Sequence, residues 1–463
     1  SKADIVGFKN PEELAEKYNN VLYHRHQYAR IEIFKNHFYI KEYDENVYEI
    51  IYKLKRYAES GIKNYTHSVD LWMKNSGLII DCDEKKNALR NLFKNSKVAF
   101  IYGAAGTGKS TMINYISSLF KDKQKIFLAN TNPAVENLRR KVTAEHAEFV
   151  TITKFLSKDV SNDCDILCLD ECSTISNRDM VRVLQRAQCK LLVLVGDIYQ
   201  IESILFGNWF NIAYKVMPKD SVAELTRPHR TTVQGLIEVW NKVREITEDR
   251  LEFITRNGLS STLDESIFSR TEEDEIVLCL NYDGIYGINN INKFLQSNNV
   301  NPSINWGVLS YKVGDPVLFN ESNRFAPLVY NNLKGKILQI EEEEDCIYFT
   351  IEVYTVLNEL DVIGFDLELK ESVTDETSVI RFKVGRGGDG NDDNDNVENV
   401  VPFQVAYAIS IHKAQGLEYE SVKVVITSEI EEMVSHNTGE EQIEDLLESG
   451  NGKTHIGEYE GTV

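Results

Sequence analysis

The sequence lacks the features that mark membrane-embedded and secreted proteins. No apolar run in its 463 residues approaches the roughly 18 to 20 residues that span a bilayer. The N-terminal stretch is rich in Lys, Glu and Asn and has no short apolar core of the kind that a signal peptide carries. We therefore expect a cytoplasmic protein with no membrane partner, and the length allows two to four domains.

Cysteine patterns of the disulfide or zinc type are also missing. The seven cysteines are an odd number and include no CxxC pair, so neither a disulfide framework nor a zinc ribbon is predicted. Cys164, Cys168 and Cys172 recur at four-residue spacing, on and just past an apolar strand. A metal cluster would need a fourth ligand nearby, so buried thiols are the preferred interpretation.

Positive charge is scarce, since 51 Lys and Arg stand against 72 Asp and Glu and give a net charge of −21. Residues 341–398 hold 18 acidic and 4 basic side chains, and residues 428–463 hold 10 and 1. The rest of the chain is therefore close to neutral, at about +2. Such a body can carry a local basic groove, so the net charge neither supports nor excludes a nucleic-acid partner.

Short apolar runs alternate with helical segments from Val98 onward. The runs are VAFIYG, KIFLAN, CDILCLDE and CKLLVLVGD, and a second block contains EIVLCLN and SVKVVIT. This alternation predicts two parallel α/β sheets, whose ligands bind at the carboxyl ends of the strands. Between the two runs of the second block, residues 305–400 alternate in period two, which is typical of a small antiparallel β-barrel.

The strongest motif is Gly103-Ala-Ala-Gly-Thr-Gly-Lys-Ser110, directly after the run VAFIY and before a helical segment. GxxxxGK[ST] between a strand and a helix is a phosphate-binding loop, in which backbone N–H groups and the helix N-terminus face the phosphates. We expect Lys109 to reach the β and γ phosphates of a nucleotide and Ser110 to bind Mg²⁺.

A carboxylate pair follows about 60 residues later at the end of CDILCLD. Asp170 is the predicted Mg²⁺ residue, and Glu171 is the predicted base that polarises the attacking water. Further along the chain come LLVLVGD with Gln200, ELTRPHR ending at Arg230, and AYAISIHKAQGLE ending at Glu418.

In this order the motifs resemble those of the superfamily 1 helicases, of the RecD-like and Upf-like kind, over roughly residues 80 to 436. The resemblance implies that Gln200 couples the γ-phosphate to the bound strand and that Arg230 stabilises the transferred phosphoryl group. It implies nucleotide contacts in the first domain from Gly103, Gly106, Thr107, Gly108, Lys109, Ser110 and Thr111, and in the second from Gly416 and Glu418. It implies nucleic-acid contacts from Thr131, Asn132, Thr153, Lys154, Ser410, His412 and Lys413. Phe155, Tyr407 and Trp306 are candidates for base stacking, with a core position as the alternative.

The expected architecture is α/β, with two RecA-like parallel-sheet motor domains and a cleft for ATP and Mg²⁺ between them. The predicted segments are an N-terminal, mainly helical accessory region (1–80), the first RecA-like domain (81–265), the first part of the second (266–304), an inserted β-barrel (305–400), and the last part of the second with an acidic tail (401–463). The barrel resembles that of the RecD-like branch, whose members move 5′ to 3′.

The sequence departs from the family in two places. Lys85 stands where the family has a glutamine that reads adenine, which puts base selectivity in doubt. The arginine that follows the last strand in the family is absent, because no Arg occurs after Arg386. The junction near Asn437 and Thr438 joins unrelated textures, so we expect the natural protein to carry further residues there.

The leading functional hypothesis is an ATP-dependent helicase or translocase on single-stranded nucleic acid, with DNA favoured over RNA and 5′ to 3′ movement. The alternative is a partner or regulatory ATPase of this fold that controls an effector such as a nuclease. A nucleotide-dependent scaffold without hydrolysis is disfavoured by Lys109, Asp170, Glu171, Gln200 and Arg230. A protein partner would bind through residues 1–80 or through the acidic segments.

Overall fold

The computed structural model describes most of the chain. The described residues are 3–4, 10–35, 37–104, 106–157, 162–199, 207–227, 234–244, 247, 249–263, 265–270, 272–320, 324–326, 328–372, 374, 376–385, 399–414, 417, 419–426 and 450–458. The chain divides into two units, Ser1–Arg230 and Thr231–Val463.

The first unit opens with helices and a small antiparallel sheet. Its elements are β1 (Ala3–Asp4), α1 (Pro11–Val21), a 3-10 helix (His24–Ala29), β2 (Ile31–Phe34), β3 (His37–Ile40), α2 (Lys41–Tyr57) and α3 (Tyr65–Asn75). The strands pair in the order β1-β3-β2. Ile50 and Leu54 on α2 are fully buried in the same apolar cluster as the strand residues Phe100 and Leu194. Helix α2 is therefore packed onto the α/β core.

A six-stranded parallel sheet forms the core of the first unit. Its elements are α4 (Asp83–Asn91), β4 (Val98–Gly103), α5 (Lys109–Leu119), β5 (Lys125–Ala129), α6 (Asn132–Lys141), β6 (Ala147–Thr151), α7 (Ile152–Leu156), β7 (Asp163–Leu169), α8 (Asn177–Arg186), β8 (Gln188–Gly196), α9 (Trp209–Val216) and β9 (Val222–Leu225), with 3-10 turns at Cys172–Thr174 and Lys219–Ser221. The strand order is β6-β5-β7-β8-β4-β9, and every neighbouring pair is parallel.

The local sequence explains these elements. Strands β4 and β5 are buried along their whole length, as continuous apolar runs require when helices cover both faces of a sheet. Two helix starts carry side-chain caps, since Thr131 accepts a hydrogen bond from Ala134 N–H and Ser176 accepts one from Asp179 N–H. All four strands predicted for the first domain are present, and the predicted RecA-like α/β fold is confirmed.

The second unit contains a five-stranded parallel sheet. Its helices are α10 (Gln234–Arg244), α11 (Arg250–Arg256), α12 (Ile288–Asn298) and α13 (Ile411–Ala414), with a 3-10 helix at Glu265–Phe268. Its strands are β10 (Ser260–Thr262), β11 (Glu275–Cys279), β20 (Ala408–Ser410), β21 (Tyr419–Ile426) and β22 (Gly450–Glu458), in the order β10-β22-β21-β11-β20. Strand β22 lies in the segment predicted as an acidic tail, so part of that segment belongs to the sheet.

An antiparallel sheet is inserted between α12 and β20. A hairpin of β12 (Ser303–Trp306) and β13 (Leu309–Lys312) precedes it. The sheet contains β14 (Pro316–Phe319), β15 (Lys334–Glu342), β16 (Cys346–Val353), β17 (Glu368–Lys370), β18 (Ser378–Gly385) and β19 (Phe403–Val405), in the order β17-β18-β16-β15-β14-β19. Among the described residues β17 and β19 are the edges of this sheet, so closure into a barrel stays a prediction.

A buried carboxylate joins the inserted sheet to the parallel sheet of its own unit. Asp315 is fully buried and accepts hydrogen bonds from Gln296 (2.6 Å) on α12 and from Asn299 (2.8 Å), the C-cap of that helix. It also accepts hydrogen bonds from the N–H of Lys312 and the hydroxyl of Tyr407, both at 2.8 Å. Four donors satisfy this carboxylate, so its burial is compensated.

The three stacking candidates belong to the apolar cores. Phe155 is 0% exposed, Tyr407 3% and Trp306 8%, so none presents a ring face on which a base could stack. The alternative interpretation of these aromatics, a core position, is the one observed.

Across the part of the chain that the structure describes, no helix has both the length and the hydropathy of a membrane span.

Candidate functional site

The phosphate-binding loop connects the end of β4 to the start of α5. Gly106 and Gly108 have φ values of +77° and +91°, which side chains with a Cβ rarely adopt. Lys109 begins α5, and its Nζ donates a hydrogen bond to the carbonyl of Gly103 at 2.6 Å. The Thr107 hydroxyl donates to the carbonyl of Ala104 at 2.8 Å. Both side chains therefore donate to carbonyl groups of the loop itself. The loop ends at the N-terminus of an 11-residue helix.

Ser110 and Thr111 are half-buried in the first turn of α5. This turn is where hydroxyls and free N–H groups of a phosphate-binding helix face the ligand. Ala105, at the tip of the loop, lies outside the described residues.

Asp170 and Glu171 follow directly after β7. The N–H of Asp170 donates to the carbonyl of Leu128 at 2.8 Å, and one carboxylate oxygen of Asp170 accepts from the N–H of Glu171 at 3.0 Å. Burial raises the pKa of Asp170, and the nearby charge of Lys109 opposes that rise. The charge of the loop lysine therefore acts on the predicted metal carboxylate. Glu171 has a φ of +50°, a left-handed conformation that is uncommon outside glycine.

Carboxylate and hydroxyl oxygens from Asp170 and Ser110 are the donors that Mg²⁺ prefers, so these two residues fit the metal that accompanies a nucleotide. The three nearby cysteines do not compete for it, because Cys164, Cys168 and Cys172 are buried. Burial raises the pKa of Cys164 to about 12, which keeps this thiol protonated at neutral pH.

Two further segments end at the same edge of the sheet. Thr131 and Asn132 follow β5, Thr153 and Lys154 follow β6, and all four side chains are exposed. Because β6, β5 and β7 are neighbours and parallel, their carboxyl ends meet at one edge. The predicted nucleic-acid residues of the first unit therefore share an edge with the predicted nucleotide residues.

Lys413 on α13 is held by two amide oxygens. Its Nζ donates to Gln404 Oε1 at 2.7 Å and lies 3.5 Å from Asn320 Oδ1. Gln404 lies in β19 and Asn320 directly follows β14, so both acceptors come from the inserted sheet or its immediate flank. Neither is charged, and burial lowers the pKa of Lys413. The result is a half-buried ammonium oriented by neutral partners.

Two other predicted residues of the second unit lie in described elements. Ser410 ends β20 and is 8% exposed. His412 lies on α13. Four predicted site residues lie outside the described residues: Gln200, Arg230, Gly416 and Glu418. The junction near Asn437 and Thr438 is outside them as well.

Sequence reasoning missed several supporting residues. Glu84 accepts hydrogen bonds from the N–H (3.2 Å) and the hydroxyl (3.0 Å) of Thr226, which begins the segment leading to Arg230. Asn320 and Gln404 are 93 and 9 residues from the lysine that they orient, so no local pattern announces them. Asp81 pairs with Lys85 at i,i+4 spacing, a signal that the sequence did contain.

Part of the chain is similar in sequence to a known protein family. Residues 82–264 match the family model for an AAA domain. The match covers the phosphate loop, both carboxylates and all six strands of the first parallel sheet. The match supports the predicted P-loop nucleotide-binding domain in this segment, whereas the superfamily 1 helicase assignment and its RecD-like branch stay predictions.

Related proteins share low identity with the chain. An uncharacterized protein of Methanocaldococcus jannaschii is 23% identical over 433 residues, covering 76% of this chain and 36% of that protein. The chain thus spans about a third of the length of this curated relative. The Pif1 helicase from Candida albicans is 18% identical, with 82% of this chain and 94% of that chain covered and a TM-score of 0.48. The Pif1 helicase from Bacteroides in complex with ADP-AlF3 and ssDNA is 16% identical, with 83% and 94% covered and a TM-score of 0.46.

Proposed function

We propose that the protein is an ATP-driven helicase or translocase that moves on single-stranded nucleic acid. One observation carries the proposal. The phosphate loop after β4, the carboxylates after β7, and the exposed polar residues after β5 and β6 all follow carboxyl ends of strands in a single parallel sheet. A nucleotide and a nucleic-acid backbone can therefore act on the same rigid framework.

Each nucleotide residue has a role that follows from its position. Lys109 supplies a fixed cation to the terminal phosphates, and the N–H groups that begin α5 donate to phosphate oxygens. Ser110 and Asp170 would hold Mg²⁺, which would neutralise charge that develops on the phosphates. Glu171 accepts a proton from the attacking water. Gln200, Arg230, Gly416 and Glu418 keep the roles that the resemblance implies.

The nucleic-acid residues are polar groups that bind phosphates rather than read bases. Thr131, Asn132, Thr153 and Lys154 offer hydroxyl, amide and ammonium donors at one edge of the first sheet. In the second unit Lys413 offers a cation that no carboxylate among its described partners neutralises, with Ser410 and His412 beside it in sequence. Contacts of this kind give affinity without strong sequence preference.

The finer parts of the proposal are DNA over RNA, movement from 5′ to 3′, the domain bounds predicted from the sequence, and a protein partner that binds residues 1–80 or the acidic segments. A cytoplasmic location belongs to the same set. A helicase assay with duplexes carrying a 5′ or a 3′ single-stranded tail tests the direction of movement. The motor loads on the tail, and only the duplex whose tail leads it toward the paired region is unwound.

The deciding experiment is the ATPase rate with and without single-stranded DNA and RNA. A motor hydrolyses ATP faster when a strand is bound, since the strand completes the working state. Glu171→Gln is the matched control, because it keeps the shape of the side chain and removes the base. A rate that neither nucleic acid changes would instead favour the regulatory ATPase whose nucleotide state signals to an effector.

A further inference from the structure

Lys85 on α4 is a buried lysine close to the phosphate loop. Its side chain is 1% exposed, a rare state for lysine unless it is paired. Its Nζ donates to Asp81 Oδ2 at 2.5 Å, and the Asp81 side chain is 38% exposed. The charge of Lys85 is thus balanced by a carboxylate that still reaches water.

The ammonium of Lys85 lies against the backbone of Gly108. A Cβ placed on Gly108 would be 2.5 Å from Lys85 Nζ and 2.9 Å from Lys85 Cε, closer than any real side chain allows. The same position is 3.6 Å from the hydroxyl oxygen of Thr111. Gly108 is the N-cap of α5, so the ammonium lies close to the residue at which this helix starts.

Two positive features therefore meet at this point. The N-terminus of α5 carries a partial positive charge, and Lys85 adds a full one. Their mutual repulsion is offset by Asp81, and an anion in the phosphate loop would offset it further. This concentration of positive charge would stabilise a bound polyanionic ligand.

A second buried lysine in the same unit shows what a structural role looks like. Lys125 is 2% exposed, and its Nζ donates to the carbonyls of Lys121, Lys123 and Glu145 at 2.8–3.0 Å. It ties three backbone segments together and has no described contact with the phosphate loop. Lys85 differs because its anchor is a charged group and its neighbour is the loop itself.

We propose that Lys85 is a second phosphate-binding cation of the nucleotide site, acting beside Lys109, and that Asp81 sets how much of its charge the nucleotide receives. The inference rests on the proposed function only in requiring that the loop bind a nucleotide. Lys85 extends from α4 to Gly108, the N-cap of α5, and we expect it to contact phosphates that are not transferred, so it binds substrate and transition state equally. Its contribution appears in KM and not in kcat.

The test measures the Kd of ADP, GDP and ATP for the full chain with Mg²⁺ and without nucleic acid, and then KM and kcat for ATP. Lys85→Met should raise the Kd of all three nucleotides by roughly 10-fold, as expected for the loss of one charge-assisted phosphate contact. The loss should be the same for ADP and GDP, because the charge acts on phosphates and not on the base. Lys85→Arg should restore most of the affinity, and kcat should stay within about 2-fold.

The decisive variant is Asp81→Asn. Asparagine keeps an oxygen that can accept the hydrogen bond from Lys85 but removes the neutralising charge. If Lys85 serves the nucleotide, Asp81→Asn should tighten ADP binding by roughly 3-fold or more, since more of the positive charge acts on the phosphates. If the pair only braces α4, both variants should weaken binding together.

Two matched controls separate charge from stability. Lys125→Met removes an equally buried lysine, and Asp70→Asn removes a carboxylate that is paired with Arg90 at 2.7 Å and is 40% exposed. Both should leave the Kd of ADP within about 2-fold of wild type, whatever they do to the melting temperature. Equal losses of ADP affinity in Lys125→Met and Lys85→Met would overturn the proposal.

The remaining outcomes also decide. If Lys85→Met does not fold, Asp81→Asn and Lys85→Arg carry the test, and an unchanged or weaker ADP affinity in Asp81→Asn overturns the proposal. A fall in kcat at constant KM in Lys85→Met overturns it too. A wild-type chain that binds ADP but neither hydrolyses ATP nor binds single strands ends the motor proposal and leaves this one standing. A wild-type chain that binds no nucleotide ends both.

Discussion

Replacing Lys413 with methionine should weaken single-strand binding in a salt-dependent way. The lysine is half-buried and is oriented by Gln404 and Asn320, whose amide oxygens carry no net charge. Its positive charge is therefore available to a phosphate. Methionine keeps the approximate length of the side chain and removes the charge.

The magnitude follows from counterion release. Each phosphate neutralised on a single strand adds about 0.7 to the slope of log affinity against log salt. Lys413→Met should make that slope shallower by about 0.7 and lower affinity by roughly 10-fold near 50 mM salt. Between about 50 and about 200 mM salt the deficit should narrow by a factor of about 2.6. All base sequences should be affected about equally.

The assay is fluorescence anisotropy of a labelled single strand of about 20 nucleotides, long enough to cover the site. Gln404→Leu should lower affinity by about 3-fold with the slope unchanged, because the lysine stays charged but loses its 2.7 Å acceptor. Lys370→Met is the matched control, since Lys370 is paired with Glu368 at 2.6 Å and its charge is already balanced. It should change neither quantity.

The pH dependence gives an independent check on the same residue. Burial lowers the pKa of Lys413, so its charge is lost at a lower pH than that of an ordinary lysine. Binding should weaken as the pH rises toward that lowered pKa, and Lys413→Met should remove this alkaline dependence. In the same window the unfolded chain binds more protons than the folded chain, so this group makes the protein more stable as pH rises. A salt slope in Lys413→Met equal to that of wild type would refute the reasoning, and a flat slope in wild type would favour the regulatory ATPase.

Further predictions concern hydrolysis, the inserted sheet and the chain itself. Lys109→Ala should reduce kcat by about 10² to 10³-fold, whereas Glu171→Gln should still bind ATP without turning it over; a wild-type ATPase rate in the second variant would show that the base is another residue. Asp315→Asn turns an amide N–H₂ toward groups that donate hydrogen bonds, so it should lower the free energy of unfolding, measured by urea denaturation, by about 3 to 5 kcal/mol. A decrease below about 1 kcal/mol would contradict the account in which four donors satisfy this carboxylate. Intact mass of the natural protein above 53.0 kDa, with an Arg-containing peptide after SHN, is expected from the junction near Asn437; a mass of 53.0 kDa rules that segment out.

Local pattern predicted six strands of the two parallel sheets and the candidate nucleotide-binding residues. A continuous apolar run is buried on both faces wherever it lies in the sheet, so VAFIYG and CKLLVLVGD predicted β4 and β8 without knowledge of their neighbours. The phosphate loop could be predicted for the same reason, because glycine spacing, lysine and helix start are contiguous in Gly103–Ser110. These features could be predicted because the residues that form each of them are adjacent in the sequence.

Only the tertiary structure decided which side chains share a site across long sequence separations. Asn320 and Gln404 reach Lys413, and four donors from α12 and its C-cap, β13 and Tyr407 converge on Asp315, because strand pairing and helix packing bring these distant residues together. Strand β22 joins the second parallel sheet although its segment reads as an acidic tail, since a strand is fixed by the neighbours it pairs with and not by its composition alone. The contact of Lys85 with Gly108 has the same origin. The sequence showed a lysine in an unusual place, and the packing of α4 against the phosphate loop determined what that lysine contacts.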